Sequence, residues 1–118
     1  MADWDIVREL ASAFPGAEEG LTYGKPSFKV GGKLFVWMSP SGDAPPDSLC
    51  LRIDPEEKPL LIASDPDVFF ETPHYYGHPI VLLQLDAIDR ETLAERIEDS
   101  WLLRAPKRLA AAYVEGQD

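Results

Sequence analysis

The chain has 118 residues, 45% of them hydrophobic and 27% charged, and its formal net charge is −10 at pH 7. A chain of this length and composition is expected to bury one core, which excludes a two-lobed enzyme and disorder over most of the sequence. No apolar run approaches the about 20 residues that span a bilayer, so we expect no contact with a membrane. We predict one domain over residues 1–118.

The net charge hides two segments that contain no carboxylate, residues 20–42 and residues 101–114. Averaged over the whole surface, the excess of negative charge repels nucleic acid and anionic membranes. Two interpretations of the segments stay open: an ordinary solvated surface, or a small cationic face if the fold brings them together. Their basic residues are Lys25, Lys29 and Lys33 in the first segment and Arg104, Lys107 and Arg108 in the second.

The cellular compartment is predicted from the N-terminus and from the cysteine content. The first five residues, Met-Ala-Asp-Trp-Asp, place no basic region before an apolar one, so we expect no secretory signal. Cys50 is the single cysteine, which forbids an intramolecular disulfide and fits a reducing environment. The sequence therefore predicts a cytoplasmic protein.

A β-hairpin is predicted in the first basic segment. Residues 24–30 and 33–38 have the composition of strands, and Gly31-Gly32 between them suits a two-residue turn. In the simplest register, alternate residues of the two strands share one core-facing side. The expected pairs are Phe28 with Phe35 and Pro26 with Trp37, and the expected core-facing residues are Phe28, Val30, Phe35 and Trp37.

The other elements alternate between short strands and helices. No internal repeat and no glycine-rich nucleotide-binding fingerprint occurs. The order predicts an α+β fold, in which helices pack on one face of a meandering antiparallel sheet. The predicted elements are a helix capped by Asp3, a strand over 48–53, a helix over 54–63 capped by Asp54, strands over 68–72 and 80–85, a long helix capped by Asp89, and a last helix over 107–114.

Residue types that commonly carry catalysis show no recognisable arrangement. His74 and His78 lie in a loop bounded by proline, without the spacing of a zinc site. Cys50 lies within a strand, and no histidine is near it in sequence to act as a base. The acidic pair Glu18-Glu19 is predicted on helix or loop surface. We therefore predict no cofactor and no metal, and an enzyme stays open only if the fold gathers a histidine with a carboxylate or lysine.

The loop that contains the histidines is rich in aromatic residues. His74, Tyr75 and Tyr76 could stack against a base or another ring-shaped ligand, or they could cover the core. Together with Trp37 or Trp101 they form a candidate pocket for a small molecule or a protein partner. This is the alternative to a function carried by the basic segments.

The order of several motifs resembles the MmcQ/YjbR family of small bacterial proteins. The most diagnostic element is Gly24-Lys25-Pro26-Ser27-Phe28-Lys29-Val30, followed by Gly32-Lys33-Leu34-Phe35. The resemblance covers nearly the whole chain in order. The further matching motifs are Asp54-Pro55-Glu56-Glu57, Thr72-Pro73-His74-Tyr75, Leu85-Asp86, Ser100-Trp101 and Lys107-Arg108-Leu109.

This resemblance implies a compact α+β domain with a strongly bent antiparallel sheet flanked by N-terminal and C-terminal helices. It also implies DNA binding without catalysis, by analogy with the double-wing domain of a phage transcription factor, in which hairpins and a sheet face meet DNA. The resemblance implies no catalytic residues. The positions expected to contact DNA are Lys25, Lys29 and Lys33 together with Arg104, Lys107 or Arg108.

Overall fold

The computed structural model of the protein describes residues 2–40, 42 and 44–116. Within this part of the chain, six strands form one antiparallel sheet in the order β1-β2-β3-β4-β6-β5, and four α-helices accompany it. The strands are β1 (Ala17–Thr22), β2 (Lys25–Val30), β3 (Lys33–Met38), β4 (Ser48–Arg52), β5 (Phe69–Phe70) and β6 (Ile80–Gln84). The helices are α1 (Trp4–Ser12), α2 (Glu57–Ser64), α3 (Arg90–Arg104) and α4 (Lys107–Glu115).

Two of the three predicted helix caps, Asp3 and Asp89, are present, and the prediction of a cap at Asp54 is wrong, because α2 begins at Glu57 with Glu56 at the N-cap position. The side chain of Asp3 accepts a hydrogen bond from the Ile6 amide at 3.1 Å, and Asp89 accepts one from the Thr92 amide at 3.0 Å. Each carboxylate satisfies an amide that has no partner within its helix, which stabilises the first turn. The prediction of an α+β fold, with helices packed on one face of an antiparallel sheet, is confirmed.

The sheet has two differently covered faces. Helices α1 and α3 pack on the first, which we call the helix face, and their buried side chains include Val7 and Trp101. The second, which we call the loop face, carries Trp37, Cys50 and Leu82 beneath the buried ring of Tyr75. The core is therefore divided by the sheet into a large helix-face cluster and a smaller loop-face cluster.

The hairpin of β2 and β3 forms as predicted, but its register differs from the expected one. Val30 lies opposite Lys33, whereas Phe28 lies opposite Val36 and Ser27 lies opposite Trp37. Phe35 is the extra residue of a β-bulge, which shifts every later residue of β3 by one position. The prediction that Trp37 shares a face with Phe28 is thus wrong, because the bulge turns its indole to the loop face.

The bulge coincides with a hydroxyl of α3 that reaches the backbone of two strands. Ser100 Oγ donates a hydrogen bond to the Phe35 carbonyl and accepts one from the Arg52 amide at 3.0 Å. The ladder between β3 and β4 pairs Val36 with Leu51 and does not continue to Phe35 and Arg52. Ser100 therefore takes the place of one rung of the sheet and holds the end of α3 against the diverging strands.

Strand β1 was not predicted, since its Glu18-Glu19 pair suggested helix or loop surface. Its sequence has no alternation of apolar and polar residues, and its side chains are largely exposed. Backbone pairing with β2 forms this strand, in a register that sets Ala17 opposite Val30 and Thr22 opposite Lys25. Glu19 also binds Arg8 of α1, with 2.9 Å between Oε1 and Nε.

Candidate nucleic-acid interface

The tip of the β2–β3 hairpin is a two-residue turn with a lysine on either side. Gly31 and Gly32 have φ values of +57° and +79°, the left-handed pair that a type I′ turn requires. Lys33 lies opposite Val30 and shares its side of the hairpin, the helix face. Lys29 precedes Val30 and therefore lies on the other side, the loop face, because successive strand residues alternate. The hairpin therefore presents an exposed lysine on each of its faces.

The corner between α3 and α4 packs against this tip. A Cβ atom placed on Gly31 would lie 2.9 Å from Pro106 Cγ, so the proline ring rests directly on the glycine backbone. Arg104 Nε donates a hydrogen bond to the Leu34 carbonyl at 3.2 Å. These contacts bring the two segments without carboxylates together at one end of the molecule.

Five of the six predicted cations lie within two residues of Gly31 or Pro106 along the chain. Lys29, Lys33, Lys107 and Arg108 are exposed and Arg104 is half-buried. Within the described part of the chain, none of the five forms an ion pair with a carboxylate. We call these five residues the tip surface.

Lys25 lies apart from the tip surface. It begins β2, and at about 3.4 Å per residue the strand carries it about 17 Å from Val30 at the hairpin turn. Lys25 lies instead beside a cleft that also contains Trp4. Lys29, by contrast, has a carboxylate next to it in the sheet, because Glu18 of β1 lies opposite Lys29 of β2.

Arg52 is a further cation that sequence reasoning did not assign to this region. Burial lowers the pKa of its guanidinium, and the nearby charge of Arg104 lowers it further. The two arginines are far apart in sequence and meet because Ser100 ties the end of β4 to α3. The only sequence signal for Arg52 was its position on the same side of a strand as Cys50.

The aromatic loop is largely committed to packing. Trp37 Nε1 donates to the Tyr75 hydroxyl at 3.4 Å, and both side chains are buried. Burial is the main reason that the pKa of Tyr75 rises to about 12. His74 and Tyr76 are the exposed residues of this predicted ligand set, and the His74 ring meets Tyr75 edge-on at 4.6 Å.

A buried lysine fixes the same loop to α2. Lys58 Nζ donates to the carbonyls of Tyr75 and His78, at 3.1 and 2.9 Å, and forms an ion pair with Glu71 Oε2 at 2.6 Å. All three hydrogens of the ammonium group therefore have acceptors. Sequence reasoning missed this contact, because α2 gave no sign of a lysine on its buried side.

Of the residues considered for catalysis, His78 lies with Lys58 and Glu71 in the lining of one small pocket, and the His78 backbone carbonyl accepts the hydrogen bond from Lys58. No group of three histidine, cysteine, aspartate or glutamate side chains in the described part of the chain could hold a metal ion. Cys50 is fully buried, and this burial raises the pKa of its thiol to about 11. The thiol is therefore protonated at neutral pH and shielded from reagents.

The fold and the tip surface define a small α+β protein with an open antiparallel sheet and a cationic hairpin end. A family model described as YjbR matches residues 12–103, and the chain belongs to the YjbR family. This finding confirms the resemblance identified from the motifs. No helix among the described residues is long and apolar enough to cross a membrane.

Similar proteins extend the family relation over the whole chain. Uncharacterized protein Mb2600 of Mycobacterium bovis and uncharacterized protein Rv2570 of Mycobacterium tuberculosis are each 35% identical over 128 aligned residues, with 97% of both chains covered. The crystal structure of Deinococcus radiodurans protein DR2400, a DUF419 domain, superposes with a TM-score of 0.75 at 24% identity. That alignment covers 98% of this chain and 88% of DR2400, and it shows the shared fold.

Proposed function

We propose that this protein binds nucleic acid through the tip surface and performs no catalysis there. The observation that carries the proposal is the contact of Pro106 with Gly31, together with the hydrogen bond from Arg104 to Leu34. These contacts unite two basic segments that are separate in sequence. The proposal places the protein in the cytoplasm, which its single buried thiol favours.

The geometry of the hairpin suits insertion into a nucleic-acid groove. A two-stranded β-ribbon fits the major groove of B-DNA, where phosphates flank it on both sides. Lys29 and Lys33 project from opposite faces of the ribbon, so each could meet the phosphates of a different strand. Lys107 and Arg108, in the first turn of α4, extend the contact along one backbone. Phosphate contacts of this kind position a protein without reading sequence.

The overall charge sets the expected strength of binding. A net charge of −10 opposes approach to a polyanion, because the negative potential of the rest of the protein also acts on a nucleic acid that approaches the tip surface. Weak binding in the micromolar range is therefore expected, at the level of about 10⁻⁴–10⁻⁶ M typical of non-specific complexes. If all five cations neutralise a phosphate, the log–log slope of affinity against salt is about −4.5, at about −0.9 per contact.

Fluorescence anisotropy of a labelled random-sequence duplex, titrated at several salt concentrations, tests the proposal. The test variant combines Lys29→Glu, Lys33→Glu and Lys107→Glu, which are exposed and expected to fold normally. The matched control is Lys25→Glu, an exposed lysine on the same strand but at its other end.

The triple variant is expected to lose measurable binding, and the Lys25→Glu control is expected to keep most of it. The wild-type affinity is expected to fall steeply with salt. Absence of wild-type binding at about 50 mM salt, where phosphate contacts are strong, would overturn the proposal. So would a triple variant that binds like the wild type.

A further inference from the structure

Two arginines meet where β3 and β4 diverge, and we call Arg52 and Arg104 the arginine pair. Ser100 Oγ accepts a hydrogen bond from the Arg52 amide at 3.0 Å, and Arg104 Nε donates to the Leu34 carbonyl at 3.2 Å. Ser100 and Arg104 lie four residues apart in α3, so they project from the same side of the helix, with about 5–6 Å between their Cβ atoms. The same side of α3 therefore holds the end of β4 and brings Arg104 to Arg52.

The arginine pair has hydrogen-bond donors that no neighbouring residue uses. A guanidinium group has five N–H donors and no acceptor. Among the residues that the structure describes, the Arg52 side chain forms no hydrogen bond and no ion pair, and Arg104 uses its Nε on the Leu34 carbonyl. Both side chains are half-buried, so water reaches only part of each group. A ligand that supplies acceptors would therefore relieve a desolvation cost that the fold leaves uncompensated.

The electrostatic potential at the arginine pair is positive. Burial lowers the pKa of Arg52, and the charge of Arg104 lowers it further. Two carboxylates, Glu57 and Asp99, border a narrow crevice beside Arg52, and Asp99 is neutralised by Arg96 at 2.9 Å. The shift of the Arg52 pKa is downward, so the combined effect of burial and Arg104 exceeds that of these carboxylates. Two cations held together in a partly desolvated position favour an anionic ligand.

We propose that the arginine pair is a binding site for a single phosphate group, that of free phosphate or of a phosphate monoester. The planar fork of a guanidinium group matches two phosphate oxygens at once. A phosphate monoester has a charge of about −1.5 to −2 at pH 7, which two arginines neutralise, whereas one arginine is enough for a carboxylate. The site goes beyond the proposed function, because Arg52 lies outside the tip surface and the site requires no nucleic-acid backbone.

Titration of the full chain with inorganic phosphate at constant ionic strength tests the proposal. ¹H–¹⁵N spectra follow the Nε–Hε signals of the arginine side chains. The signals of Arg52 and Arg104 are expected to shift saturably, with half-saturation at about 1 mM, the affinity that a few charge-assisted hydrogen bonds provide. Sodium chloride at the same ionic strength is expected to shift them less, because chloride cannot accept a bidentate pair of hydrogen bonds.

Variants of Arg52 separate the arrangement of donors from the charge alone. Arg52→Gln is expected to weaken phosphate binding about ten-fold, and Arg52→Lys, which keeps the charge but loses the planar fork, about three-fold. The matched control is Arg90→Gln, which removes the same charge from a residue paired with Glu9 at 3.0 Å. Its effect is expected to stay below about two-fold, because about 21 Å of helix separates Arg90 from Arg104, beyond a Debye length of about 8–10 Å.

Labelled duplexes with and without a terminal phosphate distinguish the two sources of the phosphate group. If the group belongs to the end of a nucleic acid, the wild type binds the phosphorylated duplex more tightly, and Arg52→Gln removes that difference. If the chain binds inorganic phosphate at the arginine pair but does not distinguish the duplexes, the source is free phosphate or a small phosphorylated molecule.

Three results would overturn the inference. The first is the absence of a saturable shift up to about 20 mM phosphate. The second is a saturable shift that excludes the signals of Arg52 and Arg104, which the wild type alone decides even if a variant fails to fold. The third is an equal loss of phosphate binding in Arg52→Gln and Arg90→Gln. A chain that binds phosphate at Arg52 but binds no duplex refutes the nucleic-acid proposal alone, and a chain that binds duplex without any phosphate response at Arg52 refutes this inference alone.

Discussion

Replacing Ser100 by alanine tests the role of the hydroxyl that substitutes for a rung of the sheet. Ser100 is fully buried, and its Oγ bridges the Arg52 amide, at 3.0 Å, and the Phe35 carbonyl. Ser100→Ala removes both hydrogen bonds without adding volume. The amide and the carbonyl are then left without a partner at a position that α3 covers.

The expected loss follows from the two unsatisfied groups. Each buried donor or acceptor without a partner costs about 1–3 kcal/mol, so Ser100→Ala is expected to lower the free energy of unfolding by about 3 kcal/mol. With an m-value of about 1.5 kcal/mol/M, the urea midpoint falls by about 2 M. The m-value itself is expected to stay constant, because the same surface is exposed on unfolding.

The control is Ser64→Ala at the end of α2. Ser64 Oγ also donates to a backbone carbonyl, that of Leu61 at 2.7 Å, but the residue is exposed and water can replace the bond. Its loss is expected to stay within about 0.5 kcal/mol. Equal losses for the two variants would refute the bridging role, and the bulge would then need another cause.

Three further perturbations test contacts around the two cores. Gly31→Ala is expected to destabilise the fold more than Gly32→Ala, because both have positive φ but only a Cβ on Gly31 meets Pro106, at 2.9 Å; equal urea midpoints would contradict that contact. Lys58→Met is expected to lower the free energy of unfolding, measured by thermal unfolding, by about 3 kcal/mol, because two loop carbonyls lose their donor. A loss within about 0.5 kcal/mol would show that Lys58 does not hold the loop to α2. Burial raises the pKa of Cys50 from 9.0 to about 11, so the unfolded thiol ionises first. Its stabilising contribution is complete below pH 9.0 and is lost as pH rises towards about 11. Urea titrations across this range are expected to show a smaller decline for Cys50→Ala, and identical declines would exclude a role for the thiol.

The parts of the fold that depend on neighbouring residues could be predicted from the sequence. Gly31-Gly32 specifies its turn locally, and Asp3 and Asp89 cap helices a few residues away. The register of β3 could not be predicted in the same way. It depends on the hydroxyl of Ser100, which lies 65 residues after Phe35 in the chain and stabilises the bulge there.

Strand β1 and the candidate sites illustrate the same limit. The run Ala-Glu-Glu-Gly-Leu-Thr has no strand-like pattern, and β1 forms because β2 offers it a backbone partner. The basic residues of the tip surface were identified from the sequence, but their meeting depends on the contact of Pro106 with Gly31. The division of the lysines, with Lys25 beside the cleft and Lys29 near the tip, follows from the length of one strand.

The acidic character of β1 has a consequence for how copies of the protein behave in concentrated solution. β1 and β5 are the outermost strands of the sheet, and β5 has only two residues, so β1 provides the longer unpaired backbone edge. Such an edge is a template for pairing with another chain, which leads to aggregation. Glu19 is already paired with Arg8, but two copies aligned along β1 would bring the Glu18 carboxylates of both chains to one seam. Repulsion between these carboxylates is therefore expected to oppose growth of the sheet beyond its own strands.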